Sequence, residues 1–168
     1  RLQVGDGTTN GRITGAITVD SGGTLVFNRN DNYDFTSAIS GAGDVQALGT
    51  ITLSGPITNT GALYINSATG GTVTLTGARS GAYSGGATAA AVTLGGANNI
   101  LRVGLSGTVA GGQYLGVYLG GTGNGVDNFG TISNTGTALD QDWGSAIGVA
   151  ATSGSSIINN GSASNATA

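Results

Sequence analysis

Two carboxylates flank a glutamine just before the only tryptophan of the chain, in Asp140-Gln141-Asp142-Trp143. Glycoside hydrolysis uses a carboxylate pair about 5–9.5 Å apart, and residues i and i+2 of a strand share a face. Asp140 and Asp142 therefore meet the spacing requirement, with Trp143 as a platform for a sugar ring. Against that chemistry, no further group that would drive the two carboxyl pKa values apart stands nearby. A sugar or protein contact is the second reading of these residues. An ordinary polar surface loop is the preferred one. Tyr114 and Tyr118 are an even number of positions apart, so both could project from one strand face as an aromatic contact patch. Packing at the end of a strand explains them equally well.

Three other clusters invite chemistry. Asn28-Arg29-Asn30-Asp31-Asn32-Tyr33-Asp34 is the densest polar run. Its oxygens could approach a cation, but Ca²⁺ wants six to eight ligands and the regular loop signatures are missing. A solvated turn is the expectation. Gly120-Gly121-Thr122-Gly123-Asn124-Gly125-Val126-Asp127 is close to the nonapeptide Ca²⁺ roll, but Gly125 stands where that motif needs Asp and no tandem nine-residue period follows. Taken as a phosphate loop, the same run lacks the following helix whose N-terminus would hold the anion. Asn165-Ala166-Thr167 is a formal glycosylation sequon and carries no weight alone.

The chemical inventory narrows function further. All eight acids of the 168 residues are Asp, all five bases are Arg, and Lys, Glu, His, Cys and Met are absent. That excludes a His or Cys metal site, a Ser-His or Cys-His nucleophile pair, a Lys Schiff base and a disulfide framework. No cofactor is implied. A net charge of −3 with only 8% charged residues provides no basic stripe for nucleic acid. No apolar run reaches the ~18 residues of a membrane span. The chain opens on Arg1 with neither an initiator Met nor a signal-peptide pattern, and is expected to be a piece of a longer precursor.

The elements that would position these residues are strands. Thirty-four glycines suggest disorder at first sight, but hydrophobic residues reach 38% and are arranged rather than scattered. Ile17-Thr18-Val19, Thr24-Leu25-Val26-Phe27, Ile51-Thr52-Leu53, Leu63-Tyr64-Ile65, Val73-Thr74-Leu75 and Val92-Thr93-Leu94 alternate with period two, bounded by Gly, Asn and Ser. No helical period is sustained, and glycine every few residues would cost a helix about 1 kcal/mol each.

Short strands also recur. Thr50-Ile51-Thr52-Leu53-Ser54-Gly55 returns as Thr72-Val73-Thr74-Leu75-Thr76-Gly77 and, shortened, as Val92-Thr93-Leu94-Gly95. Ile57-Thr58-Asn59-Thr60-Gly61 has the pattern of Ile132-Ser133-Asn134-Thr135-Gly136, and Leu2-Gln3-Val4-Gly5 that of Leu101-Arg102-Val103-Gly104. Val126-Asp127-Asn128-Phe129-Gly130-Thr131 aligns with Ile157-Ile158-Asn159-Asn160-Gly161-Ser162. In the same register, Leu115-Gly116-Val117-Tyr118 aligns with Ala146-Ile147-Gly148-Val149. A sandwich or barrel has no need of such likeness. In a parallel β-helix, equivalent positions of successive coils lie about 4.8 Å apart, so like residues stack. The expectation is one domain over 1–168: an all-β, right-handed parallel β-helix of roughly seven coils at ~22 residues each. Aliphatic rows fill its narrow interior, with little room for aromatic or long charged side chains. Asn128/Asn159 and Asn59/Asn134 are expected to form turn ladders.

The order of the motifs carries a resemblance. Arg1-Leu2-Gln3-Val4-Gly5-Asp6-Gly7, Gly23-Thr24-Leu25-Val26-Phe27-Asn28-Arg29, Ile39-Ser40-Gly41-Ala42-Gly43 and Thr50-Ile51-Thr52-Leu53-Ser54-Gly55 follow one another. In that order they resemble the passenger-associated β-strand repeat of bacterial autotransporters, with its GTLxVG, GTLVFNR, ISGxGxL and GTLTLSG segments. Leu75-Thr76-Gly77-Ala78-Arg79-Ser80-Gly81-Ala82-Tyr83-Ser84-Gly85-Gly86 is similar to the LTGxNxYSGG continuation, with one extra residue and Arg79 in place of the usual Asn. The likeness is strongest over 1–104 and looser over 105–168, where Asn/Gly-type coils follow. It implies a cell-surface or secreted passenger of a Gram-negative bacterium (type V secretion), carried across the outer membrane by a C-terminal barrel. Freedom from Cys suits threading through such a pore.

Three functions follow as expectations. The first is a non-enzymatic, virulence-associated adhesin rod whose partner is a host surface protein or glycan, with self-association between rods as a further contact. The alternative is a purely structural stalk that helps the passenger fold. A polysaccharide lyase or hydrolase on the same scaffold comes last, because such lyases rely on Arg or Lys bases and acidic Ca²⁺ clusters, and here five Arg are scattered and Lys is missing.

Overall fold

Short, β-branched, glycine-bounded segments cannot hydrogen-bond within themselves, so each must find its partners in another coil. The computed structural model describes residues 1–80, 90–111, 115–134, 146–149 and 154–165, and in it every strand pairing is parallel. Three faces result. Face A stacks β1 (Leu2–Val4), β3 (Thr24–Phe27), β6 (Asp44–Ala47), β8 (Leu63–Ile65), β11 (Ala90–Leu94), β14 (Leu115–Leu119) and β17 (Ile147–Val149) in chain order. Face C stacks β4 (Asn30–Phe35), β7 (Thr50–Leu53), β9 (Thr72–Leu75), β12 (Ile100–Val103), β15 (Gly125–Asn128) and β18 (Ser156–Asn159). Face B begins with β2 (Ile17–Val19) and β5 (Ile39–Gly41), passes through Ile57, and continues as β10 (Ala78–Ser80), β13 (Thr108–Gly111), β16 (Thr131–Asn134) and β19 (Ser162–Asn165). The chain visits A, C and B in turn and then climbs one rung: a parallel β-helix of seven coils.

The inward rows are continuous. Leu25, Val45, Leu63, Val92 and Val117 stack on face A, and Ile51, Val73, Leu101 and Val126 on face C, all essentially without solvent contact. Burying each such side chain contributes about 1.5–3 kcal/mol. Along face A the step from one coil to the next varies from 18 residues, Val45 to Leu63, to 30, Val117 to Ile147. Where two faces meet tightly the backbone leaves no room for a side chain. A Cβ on Gly77 would come within 2.5 Å of the carbonyl oxygens of Ser54 and Gly55, and one on Gly161 would fall on that of Gly130.

Several expectations need correction. The interior does admit aromatic and charged side chains: Phe27 and Phe35 pack with ring centroids 5.3 Å apart, and Arg79 occupies an inward position with no exposed surface. Not every look-alike strand shares a column. Thr50–Leu53 and Thr72–Leu75 stack on face C, but Val92-Thr93-Leu94 lies on face A, as does Leu2-Gln3-Val4, whereas Leu101-Arg102-Val103 lies on C. A strand motif specifies a two-sided surface, not which side of the triangle it occupies. The last coils slip by one residue on one face only. Val126 faces Ile157 as expected, yet Val117 faces Ile147, not Gly148. That register keeps aliphatic side chains in the inward row, and a one-residue slip would turn every side chain over. No helix among the described residues is long and apolar enough to cross a membrane.

Candidate functional site

Asp140, Asp142, Trp143 and Tyr114 lie outside the described residues. Tyr118 lies in β14, half-buried between the inward Val117 and Leu119, and so belongs to the outer surface of face A, with Thr93 on one rung and Gly148 on the next. Gly120–Asp127 forms a corner between faces A and C and then β15; no helix follows it.

Four polar clusters are built around side chains that the coil takes inside. The largest is Arg79. Its row on face B runs Ile17, Ile39, Ile57, Arg79, Val109, Ile132, so a guanidinium sits where its neighbours place a branched aliphatic chain. Nε donates to the Ala91 carbonyl at 2.9 Å, Nη1 to the Asn59 carbonyl at 2.8 Å and to Asn59 Oδ1 at 2.9 Å, and Nη2 to the Gly61 carbonyl at 2.8 Å. Every one of these acceptors is neutral. Burial pushes the guanidinium pKa down to about 10. Asn59 completes the knot by donating to the carbonyls of Gly43 and Gly61 at 2.7 and 3.1 Å.

A second cluster crosses the A–C corner. Asn124 Oδ1 accepts the Asn99 N–H at 2.8 Å, Asn99 Oδ1 accepts the Ser67 N–H at 3.2 Å, and Asn99 Nδ2 donates to the carbonyls of Ser67 and Gly95. Asn124 Nδ2 closes its own corner on the Gly120 carbonyl. Third, Asn128 Nδ2 donates to Asn159 Oδ1 at 2.8 Å, the ladder anticipated from sequence. Asn59 and Asn134 share a column but are not neighbours, because β10 and β13 lie between Ile57 and Ile132.

The run from Asn28 to Asp34 is not a solvated turn. It becomes strand β4, with a register shift between Asn30 and Tyr33 and Asn32 in the left-handed region at φ 56°. Arg29 turns inward, pairs with Asp31 at 2.9 and 2.5 Å, and donates to the carbonyls of Thr9, Asn10 and Gly11. Its guanidinium lies 4.4 Å from the Tyr33 ring centroid, and the Tyr33 hydroxyl donates to the Ile13 carbonyl at 2.6 Å. Residues 5–16, which form no strand, are thereby tied to the second coil. The Arg29 hydrogen bond holds the Asp31 carboxyl below its usual range, as Thr8 and Asn10 do for Asp6.

These side chains therefore hold coils together. Among the described residues, no three acidic, His or Cys side chains converge on a point that could hold a metal. Sequence reasoning missed Arg79 and the Asn99–Asn124 ladder. The available signal was an Arg in a strand otherwise equivalent to Ile57, and Asn at the same offset before two stacked strands. Comparison of the chain with protein-family models, with curated proteins and with solved structures gives no match.

Proposed function

We propose that this chain is a non-enzymatic rod segment of an autotransporter passenger, displayed on or released from a Gram-negative cell surface, where it acts as an adhesive, virulence-associated module. The observation that supports this reading is the uninterrupted parallel stack of seven strands on face A, which repeats one structural unit along an axis. Such a solenoid gains stability coil by coil and presents long flat faces for contact. The ordered run of repeat motifs over 1–104 supplies the link to passengers. The polar side chains described above are engaged between coils, which favours a scaffold over a catalytic centre.

The test is a precursor carrying residues 1–168 expressed in a Gram-negative host. The expected result is protease-accessible chain on intact cells and adhesion to host cells that is lost when 1–168 is deleted. Chain retained inside the cell would overturn the passenger reading. Normal display with unchanged adhesion would leave the stalk role, and turnover of an acidic polysaccharide by the purified chain would overturn the non-enzymatic one.

A further inference from the structure

We propose that the Arg12–Ile13 peptide bond is the processing site at which a trypsin-like serine protease cuts the folded rod, and that a clamp formed by Arg29 and Tyr33 sets the rate of that cut. The proposal stands apart from the adhesive reading above. Such proteases take an Arg or Lys side chain into a pocket with an acidic floor, and the composition limits their choice. Lys is absent, Arg1, Arg12, Arg29, Arg79 and Arg102 are the whole supply, and none of them precedes a Pro. The fold closes most of these. Arg29 and Arg79 are 5% and 0% exposed and hydrogen-bonded inside the coil. Arg102 has an exposed guanidinium, but its backbone lies in β12, paired with Thr74 of β9 on one side and Asp127 of β15 on the other. Arg1 leads directly into β1, and a cut after it would shed that residue alone.

Arg12 differs in both side chain and backbone. Residues 5–16 form no strand, and all but Gly5 and Ile13 are exposed. A protease binds its substrate as an extended strand, so backbone already paired in a sheet is refused and backbone outside one is open to it. Two backbone hydrogen bonds, at Gly7 and Thr8, hold the start of the segment. Nearer the scissile bond the holds are side chains. Arg29 donates to the carbonyls of Thr9, Asn10 and Gly11, and the Tyr33 hydroxyl donates to that of Ile13 at 2.6 Å. The Arg12 guanidinium lies 5.9 Å from the Tyr33 ring centroid. These contacts bracket the bond, so the segment must lift from the clamp before it can enter a protease cleft, and the rate follows the lifted fraction. Cleavage adds water across the bond: the C–N bond breaks, Arg12 gains a carboxylate and Ile13 an amino group.

Timed digestion of the folded chain with trypsin, read by intact mass and amino-terminal sequencing, tests this. The first cut should give a new amino terminus at Ile13, with 13–168 persisting, while the urea-unfolded chain is cut after Arg29, Arg79 and Arg102 as well. Arg12→Gln, on an exposed side chain, should abolish the early cut. Tyr33→Phe keeps the ring and removes only the hydroxyl on Ile13; it should speed the cut at Arg12 about fivefold, the factor of one net hydrogen bond, with the other sites still intact. A first cut after Arg29, Arg79 or Arg102, no cut at Arg12 when the unfolded chain is digested, or early cutting that survives Arg12→Gln would overturn the site. An unchanged rate in Tyr33→Phe would overturn the clamp. Trypsin and the purified chain suffice for every arm, so a rod that adheres to nothing leaves this proposal standing or falling on its own.

Discussion

Replacing Arg79 with Met removes a buried cation from an aliphatic row, and two opposing effects decide the outcome. Burial pushes the guanidinium pKa down to about 10, a differential cost of about 3 kcal/mol for the charged form. Met avoids that cost and continues the row of Ile57 and Val109. The loss is in the acceptors. The Gly61 carbonyl keeps the Asn59 amide at 3.1 Å, but the Ala91 carbonyl, the Asn59 carbonyl and Asn59 Oδ1 lose the donor described for them. Each buried acceptor left unsatisfied costs about 1–3 kcal/mol, so three outweigh the relieved charge, and Arg79→Met should destabilise the fold by about 3 kcal/mol. Arg79→Lys should do no better, because it keeps a buried charge while losing the planar fork that reaches both the 59–61 corner and β11. Urea unfolding followed by far-ultraviolet circular dichroism measures both. A Met variant as stable as the parent would refute the argument, and would mean that the guanidinium is tolerated at that position and does not hold it together.

Asn99→Leu should cost about 2–4 kcal/mol, since it leaves the Ser67 N–H and several corner carbonyls without the amide that now satisfies them; a urea midpoint equal to the parent's would refute it. Gly77→Ala should destabilise by about 1–3 kcal/mol, because the new Cβ meets two carbonyl oxygens of the coil beneath, while the open Gly22 should accept Ala with a smaller loss, reflecting only its φ of 77°; equal thermal midpoints for the two would count against the close-packed corner. Asp31 has its pKa held below 3.8 by Arg29, so its contribution is present above that pH and is lost as pH falls through the lowered folded value. Asp31→Asn should therefore lower stability at pH 7 and flatten the acid limb of stability against pH; an unchanged limb would show that other carboxylates set it.

How much of this was legible in the amino acids follows from which interactions are local. Alternation in segments such as Thr50–Leu53 and Thr72–Leu75 announces strands because the period of two is a property of the extended backbone itself. Their near-identity announces stacking, because parallel in-register neighbours place like on like, and Asn128 over Asn159 was visible for the same reason. The count of about seven coils and the absence of a His, Cys or Lys chemistry are likewise properties of the sequence. Which face a strand joins, and the one-residue slip that sets Ile147 over Val117, were decided only when the aliphatic rows had to close around a shared interior. The same holds for Arg29 and Arg79. By residue type both belong in water, and the only mark in the sequence is that Arg79 stands in a segment equivalent to that of Ile57. Inside the coil, carbonyls from chain positions 12 to 20 residues away converge on each of them. Desolvation is offset there by backbone acceptors that no local window contains, joined at Arg29 by the carboxylate of the nearby Asp31.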